Sequence, residues 1–158
     1  MELIYWVNNS VPKYIRMKYI ITESQHTRLF EGEQKVLHIP DIKLFGNDWS
    51  VLQRFLESKG NPPYSIDGNL DLMFSKIKSL GNLISVGGDL YLHNTRIESL
   101  GNLTSVGGLL GLRGTPIKSF GNLTSVGGNL YLRNTPISEK YSEEEIRKMV
   151  DVKGKIII

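Results

Sequence analysis

The sequence predicts an α+β protein organised as a parallel β-solenoid of about four coils. A small antiparallel sheet plus a helix closes its N-terminal end, and a helix closes its C-terminal end. Three observations predict this. A 20-residue unit recurs in register from Ile66 to Ile137, with copies opening at Ile66, Val86, Val106 and Val126. Each copy carries a Leu-x-Leu step, such as Leu90–Leu92 or Leu110–Leu112, and period-two spacing puts both leucines on one face of a strand. A glycine turn precedes each step, at Gly87–Gly88, Gly107–Gly108 and Gly127–Gly128, with Asp67–Gly68 in the first copy. A unit this short cannot cover its apolar side alone, so it stacks on its neighbour.

In chain order, residues 1–45 do not repeat, and residues 1–60 form an N-terminal sheet with a capping helix. Met1–Val7 is β-rich, and Tyr14–Thr22 alternates, with Ile15, Met17, Tyr19 and Ile21 on one face. Turn residues between them predict a hairpin. Thr27–Phe30 and Lys35–Ile39 are two further short strands of the same antiparallel sheet. Asp48–Lys59 is a helix: Asn47 or Asp48 caps it, Trp49, Leu52, Phe55 and Leu56 form its apolar stripe, and Gly60 and Pro62 end it. It covers the exposed apolar end of the solenoid, which places Trp49 in the core.

Residues 61–138 form the solenoid. The frame is V-x3-L-x-L-x2-T-x-I-x2-L-x2-L, and its inward set in the second copy is Val86, Leu90, Leu92, Ile97, Leu100 and Leu103. Strands stacked at about 4.8 Å make a parallel sheet. Ser75, Thr95, Thr115 and Thr135 share one position and read as a hydroxyl ladder satisfying backbone groups inside the coil. Gly81–Asn82, Gly101–Asn102 and Gly121–Asn122 mark a second bend. Residues 139–158 form the C-terminal cap. Ser142 to Glu145 carries a capping-box pattern that opens a helix, and Ile156–Ile158 adds a last strand to the sheet.

At Leu90-x-Leu92-x-x-Thr95-x-Ile97 the chain resembles the LxLxxNxL segment of the leucine-rich repeat family, in its short bacterial or phage form. Thr or Ser stands where the family has Asn, so a related parallel β-helix is the alternative coil shape. The resemblance covers Ile66 to Ile137 and implies a curved solenoid that binds macromolecules through its strand face.

Composition narrows the function classes. There is no cysteine, so disulfides and thiolate metal sites are excluded. The opening MELIYWV lacks the basic and long apolar regions of a signal peptide, and no run has membrane-span length. The expectation is a soluble, cytoplasmic protein. The net charge is +3 and evenly mixed, with 8 basic and 7 acidic residues in 1–60, 6 and 4 in 61–138, and 5 and 5 in 139–158. That mixture argues against a strong phosphate-binding surface. His26, His38 and His93 are isolated, and the glycine pairs recur as turns rather than as a phosphate loop. No enzyme, cofactor, metal or small-molecule substrate is expected.

The informative surface is the outward face of the stacked strands. With the leucines inward, Asp71, Asp89, Tyr91, His93, Arg113, Tyr131 and Arg133 point out, running from acidic to basic along the stack. Gly111 lies between Tyr91 and Tyr131 and predicts a notch between two rings. Asp71 and Asp89, if on neighbouring strands, would make a carboxylate pair. Tyr and Arg dominate interface hot spots, so these residues are the candidate partner-binding site. The expected function is a non-catalytic protein-binding module, in its narrowest form a phage or bacterial inhibitor of a host defence enzyme or complex. The alternatives are a nucleic-acid binder using the same Arg and Tyr, and a scaffold whose N-terminal sheet mediates binding or homo-oligomerisation.

Overall fold

The structure is a computed structural model of the 158-residue chain, and it describes residues 2–4, 20–22, 30–31 and 36–158. Its centre is a pair of parallel sheets of six and five strands, with few helices. The five-stranded sheet stacks β6 (Leu70–Asp71), β8 (Leu90–Tyr91), β10 (Leu110–Gly111), β12 (Leu130–Tyr131) and β14 (Ile156–Ile157). Its register sets Leu70, Leu90, Leu110, Leu130 and Ile156 in one buried column. Residues 20 positions apart therefore lie above one another, as the repeat requires.

The other sheet is a feature that the sequence reading lacked. It stacks β4 (Val36–Ile39), β5 (Tyr64–Ile66), β7 (Leu83–Val86), β9 (Ser105–Val106), β11 (Ser125–Val126) and β13 (Asp151–Val152), all parallel. Its buried column is Ile39, Ile66, Val86, Val106, Val126 and Val152. Each repeat thus contributes two strands of few residues. Their backbone bonds run to neighbouring repeats rather than within the repeat, as when Gly107 N–H donates to the Val86 carbonyl at 2.8 Å. Local pattern carries little trace of such strands, because one buried valine flanked by Ser and Gly reads as a turn.

The N-terminal strands divide differently from the single antiparallel sheet expected. Strands β1 (Glu2–Ile4) and β2 (Ile20–Thr22) pair antiparallel by themselves. Strand β3 (Phe30–Glu31) pairs antiparallel with β4. But β4 pairs parallel with β5 and so extends the solenoid-like sheet. Leu37 and Ile39 belong to the same core as the repeats, and that burial draws β4 into the parallel ladder. The predicted strand residues 1, 5–7, 14–19, 27–29 and 35 lie outside the described residues.

A short 3-10 turn, Ile42–Phe45, was not anticipated; Asp41 caps it and Ile42 is buried. Helix α1 (Trp49–Ser58) follows, with the Asp48 carboxylate accepting from Ser50 and Val51 N–H. Leu52 and Leu56 are buried, whereas Trp49 and Phe55 are half-buried against the core rather than inside it. The helix meets the first repeat at Tyr64: the Tyr64 hydroxyl donates to the Leu80 carbonyl at 2.8 Å, and Gln53 Nε2 lies 3.5 Å from that hydroxyl.

Inside the repeats, Ser75, Thr95, Thr115 and Thr135 do satisfy the backbone, but within one repeat rather than across the stack. Each hydroxyl donates to the carbonyl three residues earlier, at Leu72, Leu92, Leu112 and Leu132, over 2.6, 2.9, 2.7 and 2.7 Å. The corner before each hydroxyl is left-handed, with φ of 59° at Phe74, 56° at Asn94, 69° at Gly114 and 57° at Asn134.

At Thr135 the last repeat departs from the frame. Thr135 becomes the N-cap of α2 (Pro136–Lys140), with Ser138 completing a capping box. Helix α3 (Glu143–Met149) has the capping box foreseen between Ser142 and Glu145. The chain then re-enters both sheets at β13 and β14, so Val152-x3-Ile156-x-Ile158 repeats the V-x3-L-x-L frame. Arg147 closes this end: its guanidinium donates to the Val152 and Gly154 carbonyls at 2.8 and 3.0 Å while pairing with Glu143 at 2.9 Å.

Candidate functional site

The outward face of the five-stranded sheet has two columns. Register sets Asp71, Tyr91, Gly111, Tyr131 and Ile157 in the first. Two residues on lie Met73, His93, Arg113 and Arg133, brought together because Phe74 N–H donates to His93 O and Asn94 N–H donates to Arg113 O. Asp71, Arg113 and Arg133 are exposed, and Tyr91, His93 and Tyr131 are half-buried. The acidic-to-basic run along the stack is therefore present, from Asp71 to Arg133.

The expected notch at Gly111 is absent. The His93 ring fills it: a Cβ on Gly111 would collide with the imidazole, and Gly111 itself is buried. His93 sits between the two tyrosines, 6.2 Å from the Tyr91 ring and 6.5 Å, edge-on, from the Tyr131 ring. The three rings form one aromatic surface, since a glycine beneath leaves room for the neighbouring side chain to lie flat. Burial, reinforced by the Arg113 charge and opposed by Asp71, holds the His93 imidazole below its ordinary pKa, so it is neutral at pH 7. Its Nδ1 is buried with no hydrogen-bond partner among the described residues.

The two carboxylates do not pair. Asp71 aligns with Tyr91, and Asp89 belongs to the preceding column. Asp89 is committed to the fold: Oδ1 accepts from Leu109 N–H at 2.7 Å and Oδ2 from the Tyr91 hydroxyl at 3.0 Å. That second bond raises the Tyr91 phenol above its usual pKa. Asn69 and Asn129 play the equivalent backbone role, accepting from Asp89 N–H and Lys155 N–H, each at 2.8 Å. Asp71 keeps one oxygen on Met73 N–H at 3.0 Å and otherwise faces solvent.

Arg113 and Arg133 differ from Arg147 in a way that bears on function. Neither guanidinium forms a hydrogen bond or ion pair among the described residues, and both residues are exposed. Their guanidinium forks are left for an external acceptor. Phe74 and Met73, at the first-repeat end of the face, are exposed at 73% and 37%. Phe74 was absent from the candidate set, although its column partners Asn94, Gly114 and Asn134 mark the position as a left-handed corner ill-suited to an aromatic ring.

Among the described residues, no group of three or more His, Cys, Asp or Glu is placed to hold a metal ion, and no helix is long and apolar enough to cross a membrane. Comparisons with protein-family models, curated proteins and solved structures find no match.

Proposed function

We propose that this chain is a non-catalytic protein-binding module acting through the outward face of its five-stranded sheet. One observation carries the reading: two exposed arginines without internal partners, Arg113 and Arg133, border a surface of three packed rings, Tyr91, His93 and Tyr131. An aromatic platform beside free guanidinium groups combines the residue types that supply most binding energy at protein interfaces. Asp71 at the far end fixes the orientation in which a partner of complementary charge settles. The leucine-rich repeat resemblance agrees with this use of a strand face. The narrower form, a small phage or bacterial inhibitor that occupies a surface of a host defence enzyme, fits the same geometry.

The test is affinity capture from bacterial lysate with the wild type and with Arg113→Glu plus Arg133→Glu. The expected result is one stoichiometric protein that the double variant retains at least about tenfold less well, with unchanged circular dichroism. Equal retention by both overturns the reading. Binding of the wild type to DNA or RNA at low salt, lost steeply as salt rises, would favour the nucleic-acid alternative on the same two arginines.

A further inference from the structure

The five-stranded sheet ends on β6, whereas the other sheet continues past the first repeat through β4 and β3. Hydrogen bonding in the five-stranded sheet has one polarity. Leu70, Leu72 and Phe74 N–H donate to Asp89, Tyr91 and His93 carbonyls, and Leu110, Leu112 and Gly114 N–H donate in the same sense to Asn129, Tyr131 and Arg133. Each strand's carbonyls are thus filled by the strand before it. The carbonyls of Asn69, Asp71 and Met73 would receive bonds from a strand ahead of β6, and among the described residues they receive none.

The edge strand β13 of the other sheet is treated differently: its outward Val152 and Gly154 carbonyls are closed by Arg147. Open strand edges are usually blunted in this way, because an open edge recruits other chains. The β6 edge carries apolar surface instead. Met73 and Phe74 follow it directly, and Phe74 is the most exposed large hydrophobic residue described, at 73%. It holds a left-handed φ of 59° where the other repeats use Asn or Gly. A bulky aromatic residue costs energy in that conformation, and the fold shows in three other repeats that a cheaper residue serves the same corner.

We infer that the β6 edge is a docking site for an extended segment of a protein partner. The segment adds to β6 in the parallel sense, donates alternate N–H groups to Asn69, Asp71 and Met73, and rests an apolar side chain on Met73 and Phe74. Register continuity with the existing sheet sets the spacing of its donors. The exposed carboxylate of Asp71, with that of Asp67 two columns earlier, calls for a basic residue in the segment and disfavours an anionic lipid surface. This edge adjoins the aromatic–arginine face and shares Asp71 with it, but its test touches neither Arg113 nor Arg133, so the two readings fail independently.

The probe is a fluorescein-labelled peptide copying Gly128–Pro136 of this chain (GNLYLRNTP), the segment whose own N–H groups make these bonds in the solenoid. Anisotropy titrations of the intact protein are expected to give saturable binding. Methylating the peptide nitrogens equivalent to Leu130 and Leu132 removes the two donors that this segment uses in the sheet and is expected to weaken it about tenfold or more. Phe74→Asn is expected to weaken it by a similar factor while raising the melting temperature, which separates a binding role from a folding one. No saturable binding at millimolar protein overturns the proposal, as does indifference to N-methylation. Concentration-dependent self-association that the peptide does not disturb also overturns it, because the occupant would then be a second copy donating through Ile156 and Ile158.

Discussion

On the six-stranded parallel sheet the column beside the buried one reads His38, Ser65, Ser85, Ser105, Ser125 and Asp151, whereas on the five-stranded sheet it reads Asp71, Tyr91, Gly111, Tyr131 and Ile157. The two sheets share one core and meet the same stacking demands, so the difference lies in what each outer face is free to carry. Next to the serine column, Gly87, Gly107 and Gly127 sit against the backbone of the repeat before: a Cβ on Gly107 would collide with the Gly87 carbonyl, and one on Gly127 with that of Gly107. Those glycines allow close approach and leave a shallow groove floored by small residues. On the five-stranded sheet the one glycine in the column, Gly111, meets a side chain instead. One face is uniform because backbone packs against backbone. The other varies because its side chains meet solvent and one another.

That comparison can be broken or sharpened by substitution. The largest effect is expected in the shared interior: Leu110→Ala, in a fully buried column, should cost about 4 kcal/mol in urea unfolding. A loss under about 1 kcal/mol would mean that the column is not a continuous core. Next comes the same change on the two outer faces. Gly107→Ala forces backbone against backbone and should cost about 3 kcal/mol, whereas Gly111→Ala displaces only the His93 ring and should cost about 1 kcal/mol. Equal costs would erase the distinction drawn between the sheets. Thr115→Val, which deprives the Leu112 carbonyl of its hydroxyl donor, should cost about 1–2 kcal/mol.

The smallest effect is a pH dependence confined to the aromatic face. The folded-state pKa of His93 lies below its ordinary value, so the unfolded chain takes up its proton first as pH falls. Stability from this group is therefore complete above the unfolded imidazole pKa of about 6.5 and declines as pH drops toward the folded value. His93→Gln should flatten the melting-temperature profile between about pH 7 and pH 5. An unchanged profile would remove His93 as its source.

What the sequence disclosed follows the same division. The leucine column, the hydroxyl position, the α1 cap at Asp48 and the capping box at Ser142 all depend on short-range spacing, and each was readable from it. The six-stranded parallel sheet was not, because its strands are defined by partners 20 residues away and carry few residues each. The last strand at Ile156 was readable too, whereas the strand at Val152 was legible only in hindsight, since Val152, Ile156 and Ile158 keep the repeat's own spacing. Of the candidate site, the aromatic and arginine positions could be read from register, but the placement of His93 over Gly111 could not. It depends on a side chain leaning across two columns, which periodicity does not encode. Asp89 was misjudged for a related reason: its carboxylate reaches forward to a backbone N–H one repeat on.

The clasp formed by Arg147 has a further implication for size. Nothing in the frame of a single repeat says how many should follow, since each unit meets only those beside it. At the outer edge of the six-stranded sheet it is α3, not the repeat frame, that supplies the closing group, since its arginine ties off the Val152 and Gly154 carbonyls. Length is thus adjustable independently of shape, and an extra unit spliced in ahead of Val106 would push Arg133 about 4.8 Å farther from Asp71. The chain behaves as a ruler with its end mark written separately from its divisions.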